Sequence, residues 1–179
     1  MMRRGEDEEC AVIVLVTPAG PVALYLSRKG VAGIELPRGD QKRRAAVRGN
    51  RLSPVGKAAA AFLLRYFSGE RVVFDLPLDL RHATVFQRAV WQAARKIPYG
   101  ETRSYAWIAK RIGKPRAARA VGRALGANPV PVIVPCHRVI SSAGTLGGFS
   151  SGLGMKKKLL KLEKGGSVHG RDAGKTAGA

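Results

Sequence analysis

Cys136, His137 and Arg138 place a thiol, an imidazole and a guanidinium side by side in the chain. They lie in an apolar, β-branched stretch, with Val132-Ile133-Val134-Pro135 before them and Val139-Ile140 after. A thiol in apolar company is ordinarily an inert small hydrophobe. A base and a cation beside it bring the thiolate, which is the nucleophile, within easier reach. Cysteine is used only twice, at Cys10 and Cys136. Residue types alone leave two readings: a core cysteine on a buried strand, or an activated nucleophile.

The elements upstream bear on that choice. From Thr84 the apolar residues Val85, Phe86, Ala89, Val90, Ala93, Ala94 and Ile97 follow helical spacing. Thr84 and Gln87 form a capping-box pattern, and Pro98-Tyr99-Gly100 ends the helix. A second helix runs from Ser104, as N-cap, to Ile112 and stops at Gly113. Lys114-Pro115 opens a third, with Pro115 near its first position. Two short helices joined by a tight, glycine-containing turn make a helix-turn-helix pattern. On the third helix Arg116, Arg119 and Arg123 recur on one face, and Ala118, Val121 and Leu125 suit packing on another. Ala117, Ala120, Gly122 and Ala124 complete an exposed side small enough to approach a groove. Arginine is nearly its only polar residue, which predicts binding dominated by phosphates and shape.

Pro135-Cys136-His137-Arg138-Val139-Ile140, preceded by Ala117-Ala118-Arg119-Ala120-Val121-Gly122 and Gly126-Ala127-Asn128-Pro129-Val130-Pro131, resembles the O6-alkylguanine-DNA alkyltransferases. These are also called methylated-DNA–protein-cysteine methyltransferases. The resemblance covers residues 84–165 and continues through Gly147-Gly148-Phe149-Ser150-Ser151-Gly152-Leu153 to Glu163. It implies irreversible, stoichiometric transfer of an alkyl group from O6 of a flipped guanine in double-stranded DNA to Cys136, and leaves O4 of thymine open. His137 would be the general base, acting through a water, and Glu163 would orient it. Asn128 would brace the turn before the cysteine, and Tyr105 would give a proton or hydrogen bond to the departing guanine. Arg119 would fill the space left by the flipped base. Val139, Phe149, Ser150 and the backbone of Cys136 would line the base pocket within the glycine-rich stretch 144–154. Phe149 stands where many relatives carry tyrosine, so stacking remains but a ring hydrogen bond is lost.

The N-terminal part reads as α+β. Ala11–Val16, Pro21–Leu26 and Val31–Leu36 are predicted strands separated by turn-like residues. A basic loop, Arg38 to Arg51, follows, then a helix from Ser53-Pro54 to Ser68-Gly69 and a returning strand, Arg71 to Leu76. The resemblance implies a ribonuclease-H-like N-terminal domain over residues 1–80. It implies a helical winged helix-turn-helix domain over 81–165 that carries the cysteine. The Gly/Ala-rich residues 166–179 are expected to be a disordered tail.

A formal net charge of +20 points to a polyanionic partner. Two cysteines give no disulfide framework. Acidic residues flank the first apolar run, unlike a signal peptide, and no stretch reaches membrane-span length. A monomer in the cytoplasm (the nucleus in a eukaryote) is expected. Some relatives bind zinc in the N-terminal domain, but Cys10 and His82 alone do not make a structural site. Neither metal nor other cofactor is predicted. Two other readings stand beside alkyl transfer. One is a lesion-binding module without chemistry, against which Cys136 itself argues. The other is a cysteine hydrolase, which would need a base from elsewhere in the chain.

Overall fold

A computed structural model describes residues 11–37, 46–48 and 53–165. The expected disordered tail and Cys10 lie outside the described residues.

The N-terminal half is an antiparallel sheet with a helix across it. β1 (Ala11–Thr17), β2 (Gly20–Ser27) and β3 (Gly30–Glu35) match the three predicted strands. On β1, Ile13, Leu15 and Thr17 are buried while Val16 faces out, the period-two pattern of a sheet with one covered face. A short β4 (Ala46–Arg48) pairs with β1, giving the order β3-β2-β1-β4. The expected basic loop therefore contains a strand: Ala46 and Val47, within its charged run, pair with Val14 and Ile13.

α1 (Pro54–Phe67) opens on Ser53, whose hydroxyl accepts from Gly56 N at 3.1 Å. It buries Ala59, Leu63, Tyr66 and Phe67 on one stripe. The returning strand expected at Arg71 to Leu76 does not form. Its alternation is real, with Phe74 and Leu76 buried and Val73 exposed, but Phe74 packs on α1 instead of joining the sheet. Phe74 meets Phe62 edge-on at 6.2 Å, and its carbonyl accepts from Arg95 at 3.1 Å. Only the next residues reach β3, through Val31 N to Pro77 O and Asp79 N to Val31 O.

In the C-terminal half, α2 (Val85–Arg95) carries the predicted capping box, with Gln87 N to Thr84 Oγ1 at 3.2 Å and Thr84 N to Gln87 Oε1 at 2.9 Å. β5 (Arg103–Ser104) leads into α3 (Tyr105–Arg111), capped by Ser104 on Trp107 N. α4 (Ala118–Gly126) starts later than expected. Lys114 to Ala117 is a turn closed by Ala117 N to Lys114 O at 2.9 Å, so Pro115 and Arg116 precede the helix. Pro115 disfavours the helical conformation at Lys114, which helps place the turn there. Arg116 is exposed but does not share the helical face of Arg119 and Arg123. Ala124, expected on the exposed side, is buried, and its carbonyl accepts from Trp91 Nε1 at 2.9 Å.

The stretch around the cysteine is not a continuous strand. Val132 has φ 79°, a conformation that a β-branched residue adopts only under strain. Val134 N returns to Val130 O, and Cys136–Arg138 forms a single 3-10 turn. β6 (Val139–Ile140) then pairs in parallel with β5. α5 (Leu153–Glu163) closes the described chain. The buried residues of both halves form one continuous core. Ile34 N donates to Pro129 O at 2.8 Å, which ties the sheet edge to the turn before the cysteine.

Candidate active site

Cys136 is 5% exposed, and Asn128 Nδ2 donates to its sulfur at 3.1 Å. The same Nδ2 donates to Val134 O at 3.0 Å, while Asn128 Oδ1 accepts from Val130 N at 3.0 Å. One buried amide thus fixes both sides of the kink at Val132 and touches the thiol. Asn128 follows α4 directly, so the end of that helix sets the position of the sulfur.

His137 is fully buried, with Nε2 2.7 Å from Glu163 Oε1. Glu163 collects further donors. Arg138 Nε reaches Oε2 and Arg138 Nη2 reaches Oε1, both at 2.9 Å. Gly100 N reaches Oε2 at 3.0 Å, and the Tyr66 hydroxyl reaches Oε1 at 2.7 Å. Gly100 has φ 79°, and a Cβ there would stand 3.1 Å from Glu163 O, so the loop after α2 needs glycine to present this N–H.

Burial works against the charge on Glu163, but His137 and Arg138 outweigh it and hold the carboxyl well below the usual carboxylate range. Burial pushes the His137 imidazole below its ordinary value despite Glu163. The histidine is therefore neutral at pH 7, with its proton on Nε2 facing the carboxylate and a lone pair on Nδ1. Nδ1 has no partner among the described residues. Burial also pushes the Cys136 thiol up, against the Asn128 hydrogen bond and the charge of Lys156. The resting sulfur is a thiol, and nucleophilic attack requires that its proton be taken.

Lys156 is fully buried on α5. Its Nζ donates to Val139 O at 2.6 Å and to Leu146 O, and lies 6.0 Å from the centre of the Tyr105 ring. Burial brings its pKa down to about 8. It ties the glycine-rich loop to β6 and brings positive charge towards the thiol.

An open cleft of about 640 Å³ lies between α4 and that loop. Among the residues singled out from the sequence, Tyr105, Arg119, Gly122, Arg123, Phe149 and Ser150 line it. Arg116, Ala120, Val139 and Cys136 do not; Val139 is fully buried. Tyr105, half-buried, lines the cleft and packs against the buried core. Its phenol is raised above its ordinary value by burial and then by Cys136, so it is protonated at pH 7. A Cβ on Gly147, at φ 62°, would fall 2.5 Å from its hydroxyl.

The structure brings Cys136, Asn128, His137 and Glu163 into one buried set with Tyr105 at its edge. Tyr66, Lys156, Gly100 and the role of Arg138 were missed in the sequence. Lys156 left a faint signal, since it occupies the buried stripe of α5 seven residues before Glu163. Tyr66 left none beyond its place on the apolar stripe of α1.

Residues 85–165 match the family model of the 6-O-methylguanine DNA methyltransferase DNA-binding domain. The chain is 44% identical over 151 residues to a methylated-DNA–protein-cysteine methyltransferase of Methanosarcina barkeri, covering 84% of this chain and 95% of that one. It is also similar to the solved Mycobacterium tuberculosis OGT in complex with DNA, at 42% identity and a TM-score of 0.71, covering 85% of this chain and 91% of that one. A crystal structure of the O6-methylguanine methyltransferase from the same organism gives 40% identity and a TM-score of 0.72, covering 87% and 93%.

Proposed function

Because the chain belongs to the methylated-DNA–protein-cysteine methyltransferase family, we propose that Cys136 is the acceptor through which it reverses alkylation damage. In this reading the partner is double-stranded DNA with an alkyl group on O6 of guanine. The carrying observation is the buried set of Cys136, Asn128, His137 and Glu163 beside a cleft edged by Tyr105 and Arg119.

The thiol proton passes through a water to Nδ1 of His137, and Glu163 steadies the resulting imidazolium. The sulfur attacks the alkyl carbon, the S–C bond forms, and the C–O6 bond breaks with its electron pair going to guanine. Tyr105, protonated at pH 7, gives the leaving base a proton or a hydrogen bond. A thioether has no hydrolytic route here, so each molecule acts once. The target base must leave the duplex first. The exposure of Arg119 on the cleft wall suits the part of filling its place, with Arg123, Arg116 and the small residues Ala120 and Gly122 meeting the backbone. Phe149 and Ser150 suit a pocket wall around the flipped base, with Val139 behind it.

Residues 81–165, with the four helices α2 to α5 and the β5–β6 pair, fit a winged helix-turn-helix domain, and residues 1–80 a ribonuclease-H-like one. The direct test is incubation with duplex DNA carrying O6-methylguanine. Unmodified guanine should be restored by the wild-type chain, and Cys136→Ala should bind the same duplex and leave the lesion intact. Repair by Cys136→Ala would overturn the assignment.

A further inference from the structure

We propose that Tyr66, on the N-terminal helix, is a positioning residue for the alkyl transfer: its phenol shares Glu163 Oε1 with His137 and so sets how strongly that carboxylate holds the imidazole proton. This rests on the reading of His137 as the base.

The geometry is specific. Tyr66 is fully buried, and its hydroxyl lies 2.7 Å from Glu163 Oε1 and 3.3 Å from His137 Nε2. The ring is fixed edge-on between Phe67 at 5.3 Å, Tyr99 at 6.1 Å and His137 at 6.5 Å. Such a side chain cannot turn its hydroxyl elsewhere without breaking the core. Of the side chains that hydrogen-bond Glu163, His137 and Arg138 come from the active-site turn, while Tyr66 comes from the other half of the molecule, 97 residues away.

A hydrogen bond to the charged form of a carboxylate lowers its basicity. Each donor on Oε1 therefore leaves less negative charge to stabilise a protonated His137. The charged and titratable groups around the pair are Arg138 and Cys136 on the active-site turn, Lys156 on α5, Tyr66 on α1 and Tyr99 in the loop after α2. Arg138 and Lys156 disfavour the imidazolium by repulsion. Tyr66 acts in the same direction by occupying its counter-ion. The N-terminal half thereby helps keep the base unprotonated, and the acceptor active, at neutral pH.

The test is a nitrogen-detected NMR titration of His137 in the full chain, run beside the pH dependence of single-turnover methyl transfer. In Tyr66→Phe the His137 pKa should rise by about half a pH unit or more. The acid limb of the rate should move with it, making transfer about three-fold slower on that limb, with affinity for undamaged DNA unchanged. Replacing Tyr66 with 3-fluorotyrosine, a stronger donor of nearly the same shape, should move both in the opposite direction. This second variant keeps the test decisive should the phenylalanine variant fold poorly. A His137 titration that stays put in folded Tyr66→Phe, or moves the same way in both variants, would overturn the inference. A titration that moves as expected while the rate profile does not follow would leave Tyr66 its hold on Glu163 and refute His137 as the base.

Discussion

Replacing Arg138 with methionine tests the buried charge cluster most severely. The guanidinium makes a two-pronged contact with Glu163, both bonds at 2.9 Å, and a third bond to Ile97 O at 2.7 Å. The Arg138 side chain is 9% exposed and that of Glu163 0%. Methionine fills much of the volume but leaves a buried carboxylate without its permanent counter-charge. Removing one partner of a buried pair costs about 3–5 kcal/mol. Donors from His137, Tyr66 and Gly100 remain, which favours the lower part of that range. At roughly 2–4 °C per kcal/mol for a chain of this size, Tm should fall by roughly 6–20 °C. Arg138→Lys should fall between, because an ammonium cannot fork across both oxygens. The variant should also lose rate on the acid side, since the repulsion that disfavours protonated His137 is gone. Calorimetry at pH 7 with single-turnover rates from pH 5 to 9 gives both readouts. A Tm change below about 2 °C would show that solvent already screens the cluster, and the reasoning from burial would fail.

Arg119→Ala should slow repair in duplex DNA far more than reaction with free O6-benzylguanine, because only the duplex requires flipping; equal losses would move Arg119 into the pocket or the fold. Gly147→Ala should slow transfer on both substrates by about ten-fold or more, about 1.4 kcal/mol of barrier, because its Cβ would strike the Tyr105 hydroxyl. Gly148→Ala, with nothing within 4 Å of a Cβ, should react normally, and similar rates for the two would refute the clash. Glu163 is held below its unfolded value near 4.3, so its contribution to stability should be fully present above about pH 4.5 and be lost as pH falls towards the folded value. Denaturant midpoints should show that loss shrinking in Glu163→Gln, and an identical acid profile in the variant would contradict the assignment.

The candidate site was legible in residue types where it is local, while Glu163 and Tyr105 came only through the family resemblance. Cys136 and His137 are adjacent, Asn128 lies eight residues before the cysteine, and the caps at Ser53, Thr84 and Ser104 are written in residue types at fixed spacing. What escaped depends on distance or on backbone geometry. Tyr66 reads as one more core aromatic until the fold brings it to Glu163. Lys156 reads as one of three consecutive lysines, and its burial against Val139 O and Leu146 O sets it apart. The run Val132-Ile133-Val134 has strand propensity, but Asn128 bonds its carbonyl and folds it back. Residues 71–76 have strand alternation, yet Phe74 finds Phe62 and Tyr66 before the segment finds a sheet edge. In both segments tertiary contacts override local preference.

In the proposed reaction one alkyl group moves irreversibly from guanine O6 to Cys136. Intact-mass spectrometry of the chain after incubation with excess O6-methylguanine duplex, followed by peptide mapping, tests it most directly. One methyl group should replace one hydrogen per molecule, mapped to the peptide containing Cys136-His137-Arg138, with one lesion lost per molecule. Continued turnover beyond one equivalent, or a methyl group mapped to Cys10, would contradict it.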